Sequence, residues 1–215
     1  MVKRFLGYVT IIALVFSVGC ATAEKQVSKE TMAATGEKLI WASENPRPGW
    51  TIKEPEFEGA FLHFVGISGD IATEQLSRDD AMNNATKNVI RYLGTLAKDK
   101  FEKMSTSFGL AGDVANPTEV RNNYEKQVAA AAAKNLKAAN WYLEKWEKPT
   151  GVGWKAFVLA KIPKDALDES FKKTMDNQIQ EAQKKQKEAN DDVAKKQLDK
   201  SIEMMKKMKE SGIAE

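Results

Sequence analysis

Beyond residue 45 the apolar positions change period several times, and each change predicts an element. Leu62-His63-Phe64-Val65-Gly66-Ile67-Ser68-Gly69 is rich in β-branched and aromatic residues and ends on glycine, which predicts a strand. From Ser77 the repeat becomes helical. Ala81, Ala85, Val89, Tyr92 and Leu96 recur at steps of three and four, while Met82, Ile90, Leu93, Ala97 and Phe101 widen the stripe. This helix is therefore expected to be largely buried, with Ser77 as its cap and Asp79 and Asp80 complementing the dipole in its first turn. The small Ala81 and Ala85 let its start lie close to a sheet.

Residues 105–115 read as a loop. A second helix is predicted from Asn116-Pro117-Thr118-Glu119, a cap followed by proline at the first helical position, with Val120, Tyr124, Val128, Ala132 and Leu136 as its apolar stripe. Trp141 to Trp146 predicts a strand and Pro149 to Gly153 a turn. Trp154, Ala156, Val158, Ala160 and Ile162 then alternate with Lys155, Phe157, Leu159 and Lys161 until Pro163. These two runs predict an antiparallel hairpin whose faces are both partly covered. The last segment, Asp165 to Glu210, predicts one long helix carrying 12 lysines and 12 acidic residues from position 164 onward. Phe171, Met175, Ile179 and Ala182 are expected to dock on the domain. The stripe weakens at Gln186, Ala189 and Val193 and resumes out of phase at Leu198, Ile202, Met205 and Met208. Those four residues are a candidate partner surface, for a second copy or another envelope protein, against the alternative of a solvated helix held by Glu–Lys pairs. The fold expected is α+β: a small antiparallel sheet made of strand, two helices and hairpin, packed by helices, with a long C-terminal helix.

The segment before residue 46 changes the picture from fold to location. Lys3 and Arg4 precede an apolar run whose clean stretch is about ten residues, short of the roughly 20 that a spanning helix needs. The run leads to Ser17-Val18-Gly19 and then to Cys20, the only cysteine. This resembles a bacterial lipoprotein signal, in which the cysteine is lipidated and becomes the first mature residue. The alternatives are an ordinary secretory signal cleaved after Ala21 or Ala23, and a short uncleaved anchor. The resemblance implies a lipid anchor on Cys20. Ala21 in place of Asp implies outer-membrane sorting, with the domain facing the periplasm. The expected organisation is a signal over 1–19, a polar tether over 20–45, an α+β domain over 46–175 and a charged helical extension over 176–215. Within the tether, Lys38-Leu39-Ile40-Trp41 has the composition to dock on the domain.

Composition narrows the function. Removing residues 1–19 takes away Lys3 and Arg4 and no acids, so the rest of the chain is nearly neutral and carries no clustered basic face for nucleic acid. His63 is the only histidine, which leaves little for metal binding or acid–base catalysis, and a structural hydrogen-bonding role is expected for it. Gly66 and Gly69 match no phosphate-binding loop, and Gly66 is read instead as permitting a bulge or the close approach of a helix. Trp141, Trp146 and Trp154 are expected on the core face of the sheet, the alternative being an exposed aromatic patch. No catalytic residue, metal site or cofactor is expected beyond the covalent lipid.

Several short motifs together resemble one family. Pro48-Gly49-Trp50 precedes Phe64-Val65-Gly66-Ile67-Ser68-Gly69. Asp80-Ala81-Met82-Asn83-Asn84-Ala85 follows, then Trp141, Trp146 and the stretch Trp154 to Lys164. Residues 46–175 are similar to the LPP20 family of bacterial lipoproteins. The resemblance implies a non-enzymatic envelope module, structural or interacting, accessory to an envelope or flagellar assembly; it transfers no functional residues. A tethered periplasmic ligand-binding domain is the alternative.

Overall fold

The computed structural model describes residues 36–110 and 116–213. The expected signal, Cys20 and the first part of the expected tether lie outside the described residues. The fold is α+β, with five antiparallel strands ordered β1-β4-β5-β3-β2. In chain order these are β1 (Lys38–Ala42), β2 (Glu56–Glu58), β3 (Phe61–Ile67), β4 (Lys137–Lys148) and β5 (Gly151–Pro163). The helices are α1 (Glu74–Ser107), α2 (Pro117–Asn135), α3 (Lys164–Glu188) and α4 (Asp192–Ser211). The predicted hairpin is β4–β5, the centre of the sheet. The sheet has two strands more than the pattern predicts. Residues 38–42, expected in the tether, pair with β4 as β1, and the short β2 pairs with β3.

Helix α1 crosses one face of the sheet at close range because the contact residues are small. Ala81, Ala85, Ala156, Val158 and Ala160 are all buried there with Leu143. A Cβ on Gly66 would lie 2.2 Å from the Ala81 carbonyl oxygen and 2.7 Å from Ala85 Cβ, so glycine is required by the approach of the helix. No bulge is involved: the β3–β5 register runs unbroken through Gly66↔Val158. The helix begins a turn earlier than Ser77. Thr73 is the cap, its hydroxyl accepting from the Leu76 N–H at 3.3 Å, while Ser77 is buried and donates to the Glu74 carbonyl. Asp80, now in the second turn, accepts from the Gly69 N–H at 2.9 Å and secures the end of β3. At its other end α1 continues to Ser107, three residues into the expected loop.

The chain ends on a long helix, α4, as expected, but the one helix expected over Asp165 to Glu210 is divided in two. Helix α3 ends at Glu188 and α4 restarts at Asp192, with the Asp191 carboxylate accepting from the N–H groups of Val193 and Ala194 at 3.2 Å. Helix α4 folds back on α3 and also reaches α1. Leu198, Ile202, Met205 and Met208 are buried in the main core with Met204, Ile213, Phe101, Tyr124, Phe171 and Met175. The candidate partner surface is therefore turned inward. The out-of-phase stripe is what a second helix needs to face the first, because a break in the chain resets the phase of the repeat. Polar ties hold the return: Lys209 Nζ donates to the Asp176 carboxylate at 2.6 and 2.8 Å, and the Ile213 N–H donates to Asp168 at 3.0 Å. Residues 176–213 thus belong to the same packed unit as the rest and do not extend from it.

The opposite face of the sheet is covered by the chain between β1 and β2. Arg47 lies over the Phe157 ring at 4.9 Å and donates from Nε to Glu144 at 2.9 Å. The Glu144 carboxylate is buried and also accepts from the Trp146 indole at 3.0 Å. Burial disfavours the Arg47 charge, but the hydrogen bond and charge of Glu144 outweigh it and raise the guanidinium pKa; burial and then the Glu144 charge raise that of Tyr142. Among the described residues, no helix is long and apolar enough to cross a membrane.

Candidate functional site

Strand β3 has one finished edge and one open edge. On one side it pairs with β5 along its whole length. On the other, β2 pairs only as far as Glu56↔His63, so among the described residues the peptide groups of Val65 and Ile67 have no strand partner there. An unpaired strand edge is a template for another chain. In this protein it is lined rather than blunted. The carboxamide of Asn84 donates to the Ile67 carbonyl at 2.9 Å, and that of Asn88 to the Val65 carbonyl at 3.5 Å.

Those asparagines sit on α1 at positions that continue as Lys87 and Arg91, spacings of three and four that place them on one side of the helix. The opposite wall is Thr51 to Pro55, the approach to β2. Between the walls runs an open groove of about 620 Å³. Its floor is the edge of β3 at Val65 and the exposed Ile67; Ile52, 81 % exposed, is also in its lining. Lys53, Lys87 and Arg91 line it against a single acid, Glu54, giving the groove a net positive charge. Lys53 approaches Glu56 at 3.8 Å, an exposed and weak pair. The groove holds neutral amides, cations and apolar surface.

The remaining candidate residues lie elsewhere. His63 Nδ1 is buried and makes no hydrogen bond among the described residues. It stands 3.8 Å from Glu58 with its ring tilted against Phe61, so the expected hydrogen-bonding role is not made by that nitrogen. Asp79 accepts from Gln75 while Asp80 caps β3, so the two carboxylates do not act as a pair. The three tryptophans do not share a face. Trp141 and Trp154 project to the helix side; Trp146 projects to the other, by the register of β4 on β5. All three are half-buried: Trp141 lies under Arg78 at 5.0 Å, and Trp154 meets Trp41 edge-on at 5.7 Å. Among the described residues, no group of three or more His, Cys, Asp or Glu is placed to hold a metal ion.

Leu198, Ile202, Met205 and Met208 line the main core, not the groove. The groove residues were missed because they form a polar stripe, which reads as solvated surface. The signal available was Asn84, Lys87, Asn88 and Arg91 at helical spacing beside a strand whose partner run is too short.

Fold and site together define an α+β domain that presents an open strand edge under a cationic wall. No family model, no curated protein and no solved structure matches the chain.

Proposed function

We propose that this chain is a lipid-anchored bacterial envelope protein, held at the outer membrane through Cys20, whose periplasmic domain is a non-enzymatic interaction module. The site of interaction is the open edge of β3, and the occupant is an extended, acidic segment of another envelope protein added as a strand. The observation that carries this reading is the stretch of the β3 edge at Val65 and Ile67 that has no strand partner among the described residues and is met only by the carboxamides of Asn84 and Asn88, beside Lys87 and Arg91. Main-chain hydrogen bonds along such an edge supply affinity, and the flanking side chains supply selectivity. The cationic rim selects acidic partners and speeds their encounter. The Cys20 signal and the LPP20-like motifs over 46–175 support the envelope setting and a role accessory to an envelope or flagellar assembly.

The experiment is a fluorescence-polarisation titration with two synthetic eight-residue strands, one alternating Val and Glu and one alternating Val and Lys. The acidic strand binds, its affinity falls with added salt, and the double variant K87E/R91E reverses the preference. Equal binding of both strands, or no effect of charge reversal, overturns the reading. A second reading, a tethered domain for a small anionic ligand, draws on the groove volume, which lies within the roughly 300–1,000 Å³ of small-molecule sites. It is favoured if inorganic phosphate or a dicarboxylate displaces the acidic strand at micromolar concentration.

A further inference from the structure

The opposite edge of the sheet is built differently from the β3 groove. Strand β1 is the outermost strand on that side, and three consecutive large apolar residues on it are open to solvent: Leu39 at 41 %, Ile40 at 42 % and Trp41 at 45 % exposure. An edge strand this apolar invites pairing with another chain. The register works against that. Leu39 faces Trp146 and Trp41 faces Lys145, so Ile40 is an extra residue, a bulge that interrupts the ladder and turns the edge. The surface on offer is therefore side chains rather than peptide groups.

Position in the chain adds a second constraint. Strand β1 is the first described strand, and the chain that leads into it carries Cys20 about eighteen residues before Lys38. Even fully extended, that stretch reaches only about 60 Å at ~3.3–3.6 Å per residue. Of the two sheet edges, β1 is the one the anchor leads into; the β3 groove lies beyond β4 and β5. Trp41 is wedged edge-on against Trp154, with Lys145 over the Trp154 ring at 5.2 Å, so its indole is held in place while nearly half of it remains exposed. Tryptophan with flanking aliphatics and a nearby lysine is the composition favoured at a membrane–water interface.

We propose that the β1 edge, through Leu39, Ile40 and Trp41, lies on the lipid surface that carries the anchor, and so orients the domain with the β3 groove facing away from that surface. This rests on the lipid-anchor reading above. The anchor supplies the affinity and the β1 residues supply the orientation, because a docked edge removes the domain's freedom to tumble on its tether. The occupant is the phospholipid interface, bound by apolar side chains with little dependence on lipid charge.

The experiment uses the full lipidated protein reconstituted in phosphatidylethanolamine–phosphatidylglycerol vesicles, with and without acyl-brominated phospholipid. Tryptophan emission is compared between the parent, Trp41→Phe and the double variant Leu39→Ser/Ile40→Ser. In the parent, bromine removes a component of the emission. Trp41→Phe, which keeps the ring packing, lacks that component, and the serine variant loses most of it while retaining the parent's circular dichroism. Equal quenching of the parent and Trp41→Phe overturns the proposal, as does cross-linking of Lys38 to Lys38 between copies with no quenching, which assigns the edge to a second copy. Flotation and the acyl mass on Cys20, read from the same samples, report the anchor separately. Floating, acylated protein without a quenched component removes only the β1 contact, whereas absence of acyl mass removes the anchor and the proposal with it.

Discussion

Gly66→Ala tests the contact on which both the fold and the groove depend. The new Cβ would lie 2.2 Å from the Ala81 carbonyl oxygen, 2.7 Å from Ala85 Cβ and 2.8 Å from the Ala85 nitrogen. An ordinary carbon–oxygen contact is ~3.3–3.6 Å, so α1 has to lift by roughly 1 Å. Two of the three obstacles are backbone atoms of a helix and cannot swing aside as a side chain would. Lifting α1 also opens the layer of Ala81, Ala85, Leu143, Ala156, Val158 and Ala160, all of which are close to fully buried. Overpacking of this kind costs about 1–3 kcal/mol, and the backbone clash puts Gly66→Ala at the upper end, about 3 kcal/mol. For a chain of this length that corresponds to a fall in melting temperature of about 6–12 °C. The assay is urea unfolding followed by far-ultraviolet circular dichroism, with Gly49→Ala as the control, because a Cβ there meets nothing within 4 Å. The control stays within about 0.5 kcal/mol of the parent. The same result for Gly66→Ala would refute the close-approach argument. Since Asn84 and Asn88 ride on the same helix, the variant also loosens their hydrogen bonds to β3 and weakens binding of the acidic strand.

Three further outcomes follow from the core. Met204→Ala, at a fully buried position, destabilises by about 2–5 kcal/mol, and truncation after Lys184 gives a chain without a cooperative unfolding transition; a truncated chain that unfolds with the parent's midpoint would show α4 to be dispensable. Tyr124, buried and donating to the Leu167 carbonyl at 3.2 Å, has a phenol pKa raised first by burial and then by the Asp168 charge. The folded state therefore keeps a proton that the unfolded chain releases near pH ~10, so this contribution is intact below that pH and shrinks as pH rises beyond it. Tyr124→Phe is accordingly less stable than the parent at pH 8 but loses stability less steeply above pH ~10 in urea titrations; parallel slopes would remove Tyr124 as the cause.

Much of the architecture was legible because local period and composition are local properties. The strand at Phe64 to Ile67, the capped helix from Asn116, the hairpin around Gly151 and the small residues Ala81 and Ala85 at the start of α1 all follow from spacing within a few residues, whereas the choice at Gly66 between a bulge and a helix contact was made by packing. The two outer strands were harder. Lys38 to Ala42 is too short and too polar in its surroundings to stand out, and Glu56 to Glu58 is a three-residue strand defined only by its partner. The break at Asn190-Asp191-Asp192 carried a cap signal that uninterrupted charge patterning concealed.

Sequence by itself determined the main helices, the central hairpin, their order and the charge balance, since each depends on neighbours along the chain. Tertiary structure alone decided what covers each apolar face. The stripe of Leu198, Ile202, Met205 and Met208 looks the same whether its cover is a partner or the chain's own α3; the fold back at residue 191 supplies the cover from within. Likewise, whether Val65 and Ile67 are paired depends on how far β2 runs beside them, a matter of strand order and length. Amphipathicity states that a surface must be covered, and only the packing of distant segments decides by what.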